Sequence, residues 1–459
     1  MTQASAEPAT PAADAPTAVA TGGLLLVLPQ LFHERDGVLQ VEAQAANGLR
    51  LYTEHFDCIT LAAGLLPEGL PLPPSLRGVP ADALADTLGL RLVPLPRFGG
   101  YRRGIRRLGL RGLRAQVRGV RERLGPLIDE HRFLQFTPSR HLDDWGSLAA
   151  EIAIGRGRRY AVHTDRVQEQ MELDNARGRG PIPRLRARVY QRLLTKRRHR
   201  AIRGAALGMF HGADCFSAYA DLVPEAALIH NIHVGRVDAI DDGAFANKLA
   251  AAMNLDLPLR VIYAGRVDAD KGPLDFAEAL AAALAAGGNV EATWLGDGAS
   301  MGALRRRAQE LGLNDRLRLP GFCDDKAELL AALRDHHIMM FCHKVPESPR
   351  CLIEALVSGT ALLGYDSAYS RDLIGEGKDG PPAGVHVARH DHAALGAELA
   401  RLAGDRPAVV RLLHAAREAG KHFNDEDVFA HRCGLLKRHL GADRGPAAPG
   451  SATVRGEAS

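Results

Sequence analysis

Cysteine is scarce in this 459-residue chain: six residues, at 58, 215, 323, 342, 351 and 433, with no CxxC pair and no metal-ligand spacing among them. That excludes a disulfide scaffold and a cysteine-based zinc site, and scattered reduced thiols are expected instead. Cys342 and Cys351 read as small buried hydrophobes. The nineteen histidines are dispersed, so no metal is expected. No apolar run approaches the roughly 18 residues of a membrane span, and the chain is expected not to cross a bilayer. Helix-turn-helix, RRM and zinc-finger patterns are missing, which sets nucleic acid aside as a partner. Residues 1–21, rich in Ala, Pro and Thr, lack the basic start and apolar core of a targeting signal and are expected to be disordered, as are residues 444–459.

What is present suits a large α/β enzyme. A chain that is 46% hydrophobic at this length can bury two cores, which predicts two domains. The net charge of +4 conceals an asymmetry: residues 97–203 hold 27 Lys and Arg against 10 Asp and Glu, an excess of 17, so the remainder is acidic by 13. Residues 102–123 mix Arg102, Arg103, Arg106 and Arg107 with apolar residues. Either this is an amphipathic segment that lies on an anionic membrane surface, or it is an arginine-rich solvated face.

In the C-terminal half, apolar runs alternate with helical stretches. Strands are predicted at 261–265, 290–295, 316–319, 338–342 and 361–364, with helices between them and three more near 391–403, 406–420 and 425–440. That alternation is the pattern of a parallel sheet covered on both faces. In the N-terminal half, LLLVLP at 24–29 reads as a strand followed by a Pro-containing loop, and CITLA at 58–62 as another; RFLQFTPS, YAVHTD and CFSAY are taken as later strands.

Two segments carry chemistry. In VIYAGRVDADKG a buried strand runs into Gly265, which permits close backbone approach, and brings Arg266 and Lys271 to the strand's carboxyl end, where open α/β sheets bind ligands. In PESPRCLIEALVSG, Ser348 is placed as an N-cap and Pro349 as the first helical residue. The free N–H groups of Arg350, Cys351 and Leu352 then suit a phosphate, and Glu354 stands one turn further in, where a carboxylate can accept from ribose or sugar hydroxyls. The alternative for these residues is a capped amphipathic helix with a solvated glutamate and two surface cations.

GRVDADKG at 265–272, WLGDG at 294–298, RLPGF at 318–322 and the Glu347–Gly359 segment, in that order, resemble the nucleotide-sugar domain of retaining GT-B glycosyltransferases, specifically glycosyltransferase family 4. The likeness covers roughly 145 residues, from Val261 to about Asp405. It implies two Rossmann-like domains facing across a cleft: an acceptor domain at 22–240, a nucleotide-sugar domain at 241–425, and a helix at 426–443 that crosses back. It further implies that Arg266 and Lys271, with Gly265 and the helix start at Arg350, Cys351 and Leu352, hold the donor diphosphate, and that Glu354 takes the ribose. Gly296 and Gly298 would shape the loop near the base, Phe322 and Cys323 would sit beside it, and Glu347 would touch the donor sugar. His163, at the end of YAV, would face that sugar; His141 and Asp143 are weaker candidates for the same wall. Glu347 and Glu354 enclose six residues, SPRCLI, where the family usually has seven, and Ser348, Pro349 and Arg350 replace its usual glycine and aromatic. The resemblance implies transfer of a sugar, with retention, from a nucleoside diphosphate sugar to a glycan or lipid-linked acceptor, without a metal or other cofactor, in the cytoplasm and with peripheral membrane contact as one reading. A non-catalytic binding partner and a sugar-nucleotide epimerase or hydrolase are the alternatives.

Overall fold

The computed structural model describes residues 20–66, 78–97, 101–139, 144–165, 167, 192–193, 195–345, 347–375 and 380–441. The termini, His141 and Asp143, and the side chains of Arg102, Arg103, Arg106 and Arg107 lie outside the described residues.

Two sheets organise the chain. The first is built from β1 (Ala20–Arg35), β2 (Val38–Glu42), β3 (Cys58–Leu65), β4 (Gly78–Pro80), β5 (Leu90–Pro96), β6 (His131–Phe136), β7 (Ala161–Thr164), β8 (Leu207–His211) and β9 (Ala226–Ile229). Its parallel body runs β5-β3-β1-β6-β7-β8-β9. Alternate side chains feed opposite faces, as a strand's two-residue repeat requires: Leu25 and Val27 enter one core with Phe136 and Phe210, Leu24 and Leu26 another with Leu61 and Met209. The second sheet holds β10 (Leu259–Ala264), β11 (Val290–Leu295), β12 (Leu317–Gly321), β13 (Ile338–Phe341), β14 (Ala361–Tyr365) and β15 (Gly384–Val387). It is wholly parallel, in the order β12-β11-β10-β13-β14-β15. β13 and β14 are buried along their whole length, which is why they read as unbroken apolar runs. The strand order reverses between β10 and β13, which opens a crevice at their carboxyl ends.

The final helix, Asp425–Leu440, leaves the second sheet and packs Phe429, Cys433, Leu436 and Leu440 into the first sheet's core. Asn424 caps its start by accepting from the Asp427 N–H, and acidic residues in the first turn and basic ones in the last complement the helix dipole. The chain therefore passes between the sheets twice. The two passages are bonded to each other: the Asp425 N–H donates to the Val234 carbonyl at 2.8 Å, and the Arg236 N–H to a Glu426 carboxylate oxygen at 3.1 Å.

Three local expectations are corrected. CFSAY is helical, within Gly212–Tyr219, and the strand is the preceding LGMFH. Its residues Cys215 and Tyr219 enter one core four positions apart, a helical spacing that the aromatic content obscures. β1 does not end in a loop after LLLVLP; it continues through an irregularity between Leu28 and Leu31 to Arg35, where β2 pairs with it. The helix at 350 starts one residue later than expected: Pro349 occupies the cap position, and Ser348 Oγ, rather than capping, donates to the His211 carbonyl at 3.2 Å.

Candidate functional site

The loops after β10 and β11 are locked together by glycines. Gly265 (φ 157°) and Gly296 (φ 155°) lie back to back, and a Cβ on Gly296 would stand 1.9 Å from the Gly265 carbonyl oxygen. Trp294 Nε1 donates to that same oxygen at 3.0 Å, and the Gly265 N–H is taken by the Leu295 carbonyl. A Cβ on Gly298 would similarly meet the Val267 carbonyl at 2.6 Å. Side chains other than hydrogen cannot enter this junction, so Arg266 is turned outward; it is 66% exposed and pairs with Asp268 at 2.9 Å.

Lys271 ends a short 3-10 turn, Ala269–Lys271, and Gly272 (φ 68°) follows against the Cys342 carbonyl. The Lys271 ammonium donates to both carboxylate oxygens of Glu347, although only 8% of the residue is exposed. The loop that carries Glu347 is anchored twice more. The Lys344 N–H donates to the Asp270 carbonyl at 2.8 Å, and the Lys344 ammonium to Asp275 Oδ1 at 2.7 Å. Beneath the pair, Tyr263 Oη lies 2.8 Å from His343 Nε2.

The helix Arg350–Val357 opens onto the same space. Arg350 and Cys351 line it, whereas the Leu352 side chain is buried in the core and its N–H turns back to the Pro349 carbonyl at 3.3 Å. The Glu354 carboxylate, one turn in, accepts no hydrogen bond from any described residue. Desolvation raises its pKa, with Arg350 and Lys326 opposing. Phe322 is 53% exposed beside Cys323, whose thiol donates to the Asp325 carbonyl at 3.4 Å.

Across the space stands a wall from the first sheet. His163, in β7, has an Nε2 closed off from solvent with no partner among the described residues. Burial, then the nearby Arg432 and His211, hold its pKa well below the usual histidine value, so the ring is neutral. His211, at the end of β8, joins the two halves: its Nδ1 accepts from the Asn231 N–H at 2.9 Å, which leaves Nε2–H to donate to the Ser348 carbonyl at 3.1 Å. Burial lowers this ring to about 4, Asp165 raising and His230 further lowering it. His233, on the connection between the sheets, is lowered to about 3 by burial and by Arg350, Lys326 and Arg432.

These residues bound one cleft of about 690 Å³. It gathers Gly265, Arg266, Lys271, Gly296, Phe322, Cys323, Glu347, Arg350, Cys351, Glu354 and His163. Of the described residues expected at the site, Leu352 faces away from it and Gly298 acts at the glycine junction. Sequence reasoning missed His211, Asn231, His233 and above all Arg432, which reaches the cleft from the last helix. The signal was present: Arg432 falls among Phe429, Cys433 and Leu436, on a stripe that otherwise enters the core.

Residues 254–423 match the model of the family described as glycosyl transferases group 1. Among solved structures, the chain is similar to Anabaena HepE in complex with UDP and glucose (14% identity, TM-score 0.59, covering 90% of this chain and 99% of that one). It is likewise similar to the Thermosynechococcus elongatus sucrose-phosphate synthase (15%, 0.56, 92% and 99%) and to a Rickettsia africae glycosyltransferase (10%, 0.57, 91% and 98%). No curated protein matches the chain. At these identities the structural likenesses establish the fold, which is GT-B. Residues 254–423 match the glycosyl transferases group 1 model, and the chain that carries them has the GT-B fold.

Proposed function

We propose that the chain moves a sugar, with retention at the anomeric carbon, from a nucleoside diphosphate sugar to a glycan or lipid-linked acceptor. One observation carries this reading: cations, a helix start and an unpartnered carboxylate converge at the crevice between β10 and β13. Arg266, Lys271 and the N–H groups of Arg350 and Cys351 take the diphosphate, and Glu354 accepts from the ribose hydroxyls. Gly265 contributes by allowing close approach, since its own N–H is already bonded. Phe322 and Cys323 flank the base.

In the reaction the acceptor oxygen attacks the anomeric carbon on the face from which the diphosphate departs. The bond from that carbon to the phosphate oxygen breaks as the new glycosidic bond forms, and the acceptor proton passes to the departing phosphate. Negative charge grows on the diphosphate, where the Lys271 ammonium stabilises it most in the transition state. Glu347 orients Lys271 and faces the sugar, and the neutral His163 ring offers hydrogen bonds from the opposite wall. On this reading the first sheet's domain, residues 22–240, receives the acceptor, and residues 241–425 bind the donor. A role in bacterial polysaccharide or glycolipid assembly, in the cytoplasm and at the inner membrane face, suits such an acceptor; no helix among the described residues is long and apolar enough to span a bilayer.

A panel of UDP-, GDP- and ADP-sugars, read by calorimetry for binding and by mass spectrometry for hydrolysis or transfer, tests the reading. One nucleotide class should bind and turn over, and NMR of the product should show the donor's anomeric configuration. A folded protein that binds none of them overturns the proposal.

A further inference from the structure

Arg432 is an arginine that only 6% exposes, and no carboxylate of any described residue lies within ion-pair distance of it. Its guanidinium is held by ring faces, 4.9 Å from the Phe429 centroid and 5.7 Å from that of Tyr52. It donates to Asn231 Oδ1 at 3.4 Å, and its Nε has no partner among the described residues. A buried charge without a counter-ion is costly, and ring faces offset only part of that cost. Arg432 is one of the residues that line the cleft. The same wall presents further unpartnered buried atoms, Thr137 Oγ1, His163 Nε2 and His233 Nδ1. Two carboxylates, those of Glu42 and the exposed Asp165, also line it.

We propose that this wall is an acceptor subsite for an acidic sugar, with Arg432 binding the sugar's carboxylate or phosphate as a planar fork. The inference rests on the reading of the opposite wall as the donor site. The donor diphosphate has its own cations there in Arg266, Lys271 and Arg350, so Arg432 is free to select the acceptor. Neutral histidines, Thr137 and the two carboxylates then meet hydroxyls of the ring, while the anion goes to the arginine. The side chain that recognises the acceptor thus comes from the chain's last helix, and it is set in the cleft only when that helix has docked on the first sheet.

The test uses the full chain with glucuronate, glucose 6-phosphate and glucose as probes, by ligand-observed NMR with and without UDP. At least one of the two anions should bind tenfold or more tightly than glucose; which of them does so separates a carboxylate from a phosphate acceptor. Arg432→Met should abolish the preference while UDP affinity changes less than twofold, and Arg432→Lys, which keeps the charge and guards against a folding defect, should retain part of it. Equal binding of all three probes to the wild type, or a preference that survives in R432M, overturns the proposal. A loss of UDP affinity in R432M or R432K also overturns it, by moving Arg432 to the donor wall. Failure of the wild type to bind UDP would instead count against the donor reading, and the anion preference measured without UDP would still decide this one.

Discussion

Lys271 and Glu347, 76 positions apart in sequence, meet as an ion pair in which one ammonium serves both oxygens of one carboxylate. The lysine is brought there by the turn after β10 and the glutamate by the loop after β13, so the pair spans the crevice where the strand order reverses. Breaking such a pair leaves a nearly buried charge alone, which costs about 3–5 kcal/mol. Lys271→Met and Glu347→Gln should each lower stability by an amount toward that range. The double variant should recover much of the loss, because neither charge is then stranded. Turnover should not recover: without the ammonium, about 10²- to 10³-fold of the rate disappears, as for loss of one donor to a developing anion. Denaturant melts and turnover of all four proteins check this, and a double variant as active as E347Q would remove Lys271 from the chemistry.

The Glu354 carboxylate has no donor among the described residues and stands one turn inside the helix that starts at Arg350. Glu354→Gln keeps its shape and should weaken binding of the nucleoside diphosphate by about 1–3 kcal/mol, the range for a hydrogen bond to a charged group. Calorimetry with UDP, GDP and ADP measures it. Equal affinities for wild type and variant would detach the ribose from this carboxylate.

The His211 bridge predicts a dependence on pH. The fold lowers this ring from the usual 6.5 to about 4 and so favours its neutral form. The unfolded chain takes up the proton first as pH falls, so the bridge's stabilisation is complete above about 6.5, is lost progressively toward 4 and changes no further below. At about 1.4 kcal/mol per pH unit between the two values, the full effect is on the order of 3 kcal/mol. His163, His233, His337 and His343 are lowered too and add to the same trend. Thermal melts from pH 7.5 to 4.5 should therefore show wild type and His211→Gln converging as pH falls. A gap that stays constant would mean that His211 does not titrate in this window.

The helix Tyr101–Glu130, broken at Gly109 (φ 63°), carries the basic segment. If it docks on anionic lipid, co-sedimentation with anionic liposomes should weaken as salt rises, and neutral liposomes should capture little. Replacing Arg102, Arg103, Arg106 and Arg107 by Gln should remove up to about 1 kcal/mol of attraction per charge and leave hydrolysis of the soluble donor intact. Sedimentation indifferent to lipid charge would make this a solvated face and favour a soluble acceptor.

The second sheet's side of the cleft was legible because its information is local. A glycine with φ near 155° must be glycine, and a strand that ends in Gly265-Arg266 or a helix that opens after Pro349 announces itself within a dozen residues. The same locality explains why the strands from β10 to β14 were placed to within two residues at most of their ends, while β15, the short edge strand Gly384–Val387, was not foreseen. Apart from His163, the first sheet's side was not legible. His211 acquires its meaning from Ser348, 137 positions away, and Arg432 from Tyr52 and Asn231, so neither pattern exists until the chain has folded. Only the oddity of an arginine on an apolar helical stripe pointed to the second.

The two paired passages between the sheets make the second sheet's domain an insertion within the first. A single proteolytic cut in the connection near Val234 should not separate the halves under native conditions, because the return passage and the docked final helix still hold them. Truncation just before Asn424 would do something different: it would strip Phe429, Cys433, Leu436 and Leu440 from the first domain's core while sparing the second domain's own sheet. During synthesis, too, the first domain cannot complete its interior until the ribosome has delivered the last helix, long after the second domain's strands have emerged.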